Sequence, residues 1–154
     1  MALHGSITDV VQRPAPEVFA LITDIDCLPD WNTIITHVVD RPATLAPDAE
    51  WVVELKAMGR SWPSRSRVLA YDEVARRFEY RSQTDDGNPS YGIWSWQVTD
   101  DPGGSQVTVT WDLYPQTFWR RALLARIRGR QLRREVHDSL GSLEQALSAT
   151  EEGR

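Results

Sequence analysis

Two side chains in this sequence could move protons from a buried position. Acid–base catalysis needs a proton donor and a proton acceptor that meet on one apolar face. Strand alternation places Tyr80 on the apolar side of a predicted strand, and His37 stands beside Ile35 and Val39 on another. A lone histidine in such a place is more often structural than catalytic. No pattern around either residue completes a catalytic set, so Tyr80 and His37 are weak candidates and the catalytic residues stay open.

Other kinds of reactive site are not indicated. The order of serine, histidine and acidic residues gives no catalytic triad, and no glycine-rich phosphate loop stands out. Cys27 has no cationic neighbour in the sequence that would lower its pKa, so a buried structural thiol is expected. Asp24, Asp26 and Asp30 lack the glycine and the distal glutamate of a calcium loop, and helix capping by Asp24 or Asp26 is the better explanation. We therefore expect no metal and no cofactor.

A larger set of residues points to binding. Alternation puts aromatic and hydroxyl side chains on the covered face of the predicted sheet, namely Trp51, Trp62, Ser64, Ser66, Tyr80, Ser82, Trp94, Trp96 and Trp111. An apolar cavity with a few polar anchors has this composition, and tryptophan faces stack on planar rings. Trp31 follows Pro29 and is expected either at the mouth of such a cavity or as an anchor in the core.

A long amphipathic helix is predicted from Phe118 to Leu147, opposite that face. Its apolar stripe is bulky in the second half and small in the first half, where Ala122, Ala125 and Gly129 stand. Small side chains there either let the tryptophans come close or leave a hole. Two interpretations stay open: a ligand cavity roofed by these three residues, or a core that the rings fill.

The same helix carries a second apolar row, Trp119, Leu123 and Ile127, among seven arginines. Packing under the preceding turn is one explanation of this row. A homodimer through it is the best functional alternative, and an anionic membrane surface is another. With three acidic residues against the seven arginines, the helix carries +4 and the rest of the chain −9 of the net −5. Because the basic surface is confined to one helix, nucleic acid is not an expected partner.

The elements that must position these residues follow from periodicity and turn signals. Leu3 to Val11 alternates as a strand, and two short helices are predicted after it, at Glu17 to Thr23 and Asp24 to Trp31. Six further strands are predicted at Ile34 to Asp40, Ala49 to Met58, Ser61 to Tyr71, Arg77 to Thr84, Tyr91 to Thr99 and Gln106 to Tyr114. Strands joined by tight turns form an antiparallel meander. The expected fold is α+β, a seven-stranded curved antiparallel sheet that grips the long C-terminal helix, with two short helices between strands 1 and 2.

Composition sets the remaining expectations. The 154 residues, 41% hydrophobic and 25% charged, are expected to form a single domain, 1–154. No apolar run approaches the roughly 18 residues that cross a bilayer, so no transmembrane segment is expected. The start lacks the features of a signal peptide. A lone cysteine is typical of a reducing compartment, which predicts a cytoplasmic protein.

The order of these segments resembles a known superfamily. Ile7–Asn32 contains Arg13-Pro-Ala-Pro-Glu-Val-Phe-Ala-Leu-Ile-Thr-Asp and then Leu28-Pro-Asp-Trp-Asn; Trp94-Ser-Trp-Gln-Val and Gly104-Ser-Gln-Val-Thr-Val-Thr-Trp follow, before the long helix. The chain thereby resembles the START-like (SRPBCC, helix-grip) superfamily and, within it, the polyketide cyclase/dehydrase and lipid-transport branch. This resemblance implies a cavity between sheet and helix that holds a hydrophobic ligand. It brings no shared catalytic motif, since some members cyclise or dehydrate and others only bind or carry.

Three functions stay open. The first is a cytoplasmic protein whose cavity binds a small hydrophobic, ring-containing molecule, lipid-like or polyketide-like. The second is an aromatic polyketide cyclase or dehydratase that uses the same cavity, with a tyrosine or a serine-held water moving protons. The third is an interaction protein that uses the Trp119 face.

Overall fold

Seven strands form one antiparallel sheet in the computed structural model, which describes residues 3–57, 59–84, 89–114 and 125–152. Of residues 3, 57, 125–132 and 149–152 it describes the backbone alone. The described strands are β1 Leu3–Val11, β2 Ile35–Asp40, β3 Glu50–Ala57, β4 Arg60–Asp72, β5 Arg77–Thr84, β6 Tyr91–Asp101 and β7 Gly104–Tyr114. Their spatial order is β1-β7-β6-β5-β4-β3-β2, so the first strand pairs with the last and the others form a meander.

Three helices lie beside the sheet in the described part of the chain. Helix α1, Ala15–Ile22, has Pro16 in its first turn, where a missing N–H costs no helical hydrogen bond. A 3₁₀ turn at Ile25–Cys27 leads into the short α2, Leu28–Trp31. The long α3 runs through Ala125–Glu152. No described helix combines the length and the apolar character that crossing a membrane requires.

The predicted fold class is confirmed, and the strand boundaries differ from the predicted ones by two residues at most. The clearest difference lies at the end of the chain, where α3 continues to Glu152 and does not end at Leu147. Alanine and glutamate are good helix formers, and no glycine or proline interrupts positions 148–152. The predicted first residues of this helix, 118–124, lie outside the described residues.

The core lies between the inner face of the sheet and the helices. On β7, alternation turns Val107 and Val109 inward, and both are fully buried. On α3, Val136, Leu140 and Leu143 are buried, as the bulky half of the predicted stripe requires. Burial of these faces supplies the main driving force for docking α3 onto the sheet.

Gly5 of β1 pairs with Trp111 of β7 and lies directly against its ring. A Cβ on Gly5 would overlap the Trp111 ring. Glycine in a strand interior is unfavourable unless such an approach requires it. The missing side chain therefore makes room for the Trp111 ring, whose centroid lies 5.6 Å from that of Trp94.

Polar contacts hold α3 on both sides of the core. Arg133 Nη1 donates to the backbone carbonyl of Ser6 at 3.1 Å. Near the middle of the helix, the Ser139 hydroxyl oxygen accepts a hydrogen bond from the Thr33 N–H at 3.2 Å. The helix is thereby tied both to β1 and to the segment between α2 and β2.

Candidate ligand-binding site

A cavity of about 90 Å³ lies between the inner face of the sheet, the segment from α1 to β2, and α3. At roughly 10–15 Å³ for each water, this space holds several waters or part of a ring system. Its described lining residues are Ile22, Ile25, Leu28, Trp31, Asn32, Ile34, Ile35, Trp51, Val53, Leu55, Ser64, Ser66, Phe78, Tyr80, Ser82, Trp94, Trp96, Glu135, Val136 and Ser139. The lining is mostly apolar with a few polar groups, as in small-molecule sites.

Eight of the residues predicted to line a cavity do so: Trp31, Trp51, Ser64, Ser66, Tyr80, Ser82, Trp94 and Trp96. Trp62 and Trp111 are not among the described lining residues. Trp62 lies one inward position beyond Ser64 on β4, and the Trp111 ring packs over Gly5. Of the predicted roof, Ala122 lies outside the described residues, and Ala125 and Gly129 are described by their backbone alone, so the roof stays a prediction.

The aromatic rings make a continuous wall. The Trp31 and Trp96 rings meet edge to face with centroids 5.4 Å apart, and the Trp51 and Tyr80 rings do so at 5.0 Å. Trp96 Nε1 donates to the Tyr80 hydroxyl oxygen at 3.3 Å and joins the two pairs. Edge-to-face contacts at such distances are favourable. Each ring is therefore held by its neighbour before any ligand arrives.

Tyr80 is held in its protonated form. Burial raises the pKa of the Tyr80 phenol to about 12, although the hydrogen bond from Trp96 works in the opposite direction. Burial disfavours the charged phenolate, whereas a donor to the oxygen stabilises it. At neutral pH the Tyr80 hydroxyl is thus a hydrogen-bond donor inside the cavity.

The raised pKa of Tyr80 predicts a loss of stability at high pH. In the unfolded chain tyrosine ionises near pH 10, whereas in the folded protein Tyr80 stays neutral up to about pH 12. This contribution to stability is fully present below pH 10 and is lost as the pH rises to 12. Between pH 9 and pH 11, ionisation of Tyr80 should lower the unfolding free energy of the parent protein, measured in urea, by about 1 kcal/mol. Tyr80→Phe has no phenol at this position, so its unfolding free energy should lack this decrease.

The control for that measurement is Tyr91→Phe. Tyr91 lies on the same sheet but its position on β6 faces away from the core. This variant measures the effect of losing a phenol hydroxyl that lies outside the core. A parent-like slope in Tyr80→Phe would show that burial of the Tyr80 phenol does not shift its ionisation.

Hydroxyl groups form a polar patch on the floor of the cavity. The Ser64 and Ser82 hydroxyl oxygens are 2.9 Å apart across β4 and β5, and Ser64 also donates to the Gln83 carbonyl at 3.5 Å. Ser66 is the next inward residue on β4 and is buried too. These hydroxyls can orient a polar group of a ligand.

Helix α3 contributes two polar lining residues that the sequence analysis does not include. They are Glu135, whose Oε2 atom is buried, and Ser139, whose hydroxyl also lies 3.3 Å from the Thr33 hydroxyl. Helical spacing could have predicted the inward position of Ser139, because residues 136, 139 and 143 share one face of the helix. The predicted stripe runs through apolar positions alone and so leaves these polar residues out.

The prediction that His37 lies near the interior of the sheet is wrong. His37 is exposed on the edge strand β2, and its Nδ1 atom contacts the Thr36 hydroxyl at 3.3 Å. The pairing of β2 with β3 shifts register between Ile35 and His37, and again after Val38. Such bulges break strict alternation, so Ile35 and Val38 are half-buried and His37 faces solvent.

The residues around α2 have structural roles. The Cys27 thiol donates to Asp24 Oδ2 at 3.3 Å, and burial followed by the effect of Asp24 raises its pKa to about 11. The thiol is therefore protonated at neutral pH and is a poor nucleophile. Asp24 holds the N-cap position of the 3₁₀ turn without a side-chain cap bond, and Asp26 pairs with Arg41. In the part of the chain that the structure describes, no three potential metal ligands come together.

The second apolar row of the long helix falls largely beyond the described residues. Trp119 and Leu123 lie outside them, and Ile127 is described by its backbone alone. The homodimer proposed through this row therefore stays a prediction.

Comparisons with known proteins agree with this fold. A family model described as polyketide cyclase/dehydrase and lipid transport matches residues 4–148. Among similar solved structures are protein CV1439 from Chromobacterium violaceum (17% identity, 93% of this chain and 95% of that chain, TM-score 0.74) and TTHA0849 from Thermus thermophilus (17%, 97% and 99%, 0.74). A third is the Zhui aromatase/cyclase from Streptomyces sp. R1128 (17%, 95% and 94%, 0.69). At these identities the similarity concerns the fold. No curated protein matches the chain.

Proposed function

The chain belongs to the polyketide cyclase/dehydrase and lipid-transport family, and on that premise we propose that it binds a small hydrophobic, ring-containing ligand between the sheet and α3. One observation supports this proposal most strongly: six described aromatic side chains line a small cavity together with hydroxyl groups. They are Trp31, Trp51, Phe78, Tyr80, Trp94 and Trp96. Ring faces and edges stack on ligand rings, while sparse hydroxyls fix orientation.

The wall favours a ring over a flexible chain. Trp31, Trp96, Tyr80 and Trp51 are already fixed against one another, so binding orders few protein side chains. A rigid ring likewise loses less conformational entropy than an alkyl chain of the same size. Because neither the protein side chains nor a rigid ring lose much conformational entropy on binding, more of the free energy of their contacts contributes to affinity.

Titration of the intrinsic tryptophan fluorescence tests the proposal, because several tryptophans line the cavity. We expect flavone to give a saturable one-to-one change with a Kd on the order of 1–100 µM. Dodecanol has no ring that could stack and loses the freedom of many rotatable bonds on binding, so it should bind about tenfold more weakly than flavone. Absence of any saturable change with flavone, cholesterol or dodecanol would contradict ligand binding in this cavity.

A second candidate function is cyclisation or dehydration of a polyketide-like substrate, and Tyr80 together with Glu135 favours it. Both line the cavity, the first as a protonated donor and the second as a carboxyl group that can accept a proton. An acid and a base that converge on one apolar space suit proton transfer. The similar aromatase/cyclase fold is in keeping with this candidate. Chromatography after incubation with a linear poly-β-ketone thioester separates the candidates: a cyclic product supports the enzyme, and unchanged thioester supports the carrier.

The third alternative is an interaction protein, and it rests on Trp119, Leu123 and Ile127. A homodimer through these residues would leave the cavity without a role, whereas the aromatic wall supports a ligand. A cytoplasmic location stays a prediction, in keeping with the single cysteine, Cys27.

A further inference from the structure

One indole N–H in the cavity wall has no acceptor among the described residues. Trp31 is 2% exposed and lines the cavity, and its Nε1 atom is buried with no hydrogen-bond partner in the described part of the chain. Trp96, in edge contact with it, donates its own indole N–H to Tyr80. Buried donors are rarely left without an acceptor, because they lose their bond to water.

The position of Trp31 is fixed by the backbone on both sides. It is the last residue of α2, where the Asn32 N–H donates to the Leu28 carbonyl at 2.9 Å. The Asn32 side chain then accepts a hydrogen bond from the Ile34 N–H at 3.2 Å. With the chain tied down here and the ring packed on Trp96, the indole is not free to turn outward to solvent.

The charges of the lining disfavour an anionic ligand. Glu135 is an acidic residue, and no lysine, arginine or histidine is found among the described lining residues. A ligand carboxylate would lose its hydration on entering and would meet no compensating cation among the described lining residues. A neutral oxygen acceptor needs no counter-charge and can still accept from Trp31.

We propose that the ligand is electrically neutral and places a carbonyl-type oxygen against the Nε1–H of Trp31. Its rings then lie along the wall that contains Trp51 and Trp96. This inference rests on the proposed function and deepens it by naming the ligand class: neutral ring ketones, lactones or amides, in preference to carboxylic acids or plain hydrocarbons.

Three naphthalenes of matched size test the ligand class. They are 2-acetonaphthone, 2-isopropenylnaphthalene, which replaces the carbonyl oxygen with a methylene group, and 2-naphthoate. At pH 7.5 we expect the ketone to bind about tenfold more tightly than the alkene, as one buried hydrogen bond provides. Naphthoate should bind most weakly of the three.

A variant series then tests the donor. Trp31→Phe keeps an aromatic ring and removes the N–H, so the ratio of ketone to alkene affinity should fall to about one. Trp94→Phe makes the same change elsewhere in the lining and should keep the tenfold ratio. In NMR spectra of the parent, the ketone and not the alkene should move one indole N–H signal downfield.

The outcomes separate this inference from the proposed function. Equal binding of the ketone and the alkene by the parent protein would overturn the role of Trp31 and leave cavity binding intact. A ketone-to-alkene affinity ratio that stays tenfold in Trp31→Phe would overturn it too. Failure of all three naphthalenes to bind would contradict the proposed function itself. If Trp31→Phe does not fold, the affinity ratio and the indole shift of the parent decide.

Discussion

Replacing Gly5 with alanine is expected to lower the free energy of unfolding by about 2–3 kcal/mol, an unusually large loss for one methyl group. The new Cβ would overlap the Cε2, Cζ2 and Nε1 atoms of Trp111. That ring is 2% exposed and already lies against Trp94, so it has little room to retreat. Either the strands separate or the ring takes an unfavourable rotamer. Urea unfolding followed by circular dichroism measures the loss.

Gly141→Ala is the matched control. Gly141 is exposed in α3, and apart from its chain neighbours and its own helix backbone no described atom lies within 4 Å of the position that a Cβ would take. The same substitution should therefore raise stability there by about 0.5–1 kcal/mol, since glycine is a poor helix former. In a double-mutant cycle, Gly5→Ala should lower the free energy of unfolding by less in a Trp111→Leu background than in the parent. If Gly5→Ala lowered the free energy of unfolding no more than Gly141→Ala, the Trp111 ring would be free to move away from the new methyl group.

The fold could be predicted from the sequence because local patterns determine most of it. Arg77–Thr84 alternates without interruption, and the structure gives the strand those ends. An exception is β2, where two register shifts turn His37 outward. A bulge arises from how two strands pair, and nothing within Ile35–Asp40 alone, such as a glycine, marks it.

The candidate site could be predicted in part. Alternation identifies the inward residues of each strand, but the position of each strand within the sheet decides which of them face the cavity. Trp94 and Trp111 both point inward, yet Trp111 belongs to the strand beside β1 and packs over Gly5. That arrangement depends on pairing between the first and last strands, which neither strand's own pattern reveals.

The hydrogen-bond partners of the cavity residues could not be predicted from the sequence either. Trp31 and Trp96 are equivalent in the sequence. Only the structure shows that the Trp96 indole donates to Tyr80, while the Trp31 indole has no acceptor among the described residues. The same holds for Glu135 and Ser139 of α3. Whether they line the cavity depends on how α3 packs against the sheet, and the helical period alone does not show this.

Replacing Ser66 with leucine is expected to weaken flavone binding by about 10- to 100-fold, which is what overpacking by a few carbon atoms costs. Ser66 lines the cavity and is paired with Trp51 on one side and Ser82 on the other. The larger side chain takes space from a cavity of only about 90 Å³. Its apolar surface packs on the neighbouring rings, so the protein should still fold.

Ser61→Leu is the control for space alone. Ser61 lies on the same strand as Ser66, at an exposed position five residues earlier that alternation turns to the other face. Both variants lose a hydroxyl and gain the same carbons, but only Ser66→Leu reduces the cavity. Parent-like flavone affinity in Ser61→Leu and a large loss in Ser66→Leu would place the ligand between sheet and α3. Equal affinity in both would mean that the fluorescence change arises elsewhere, because a ligand in this cavity cannot share its volume with a leucine.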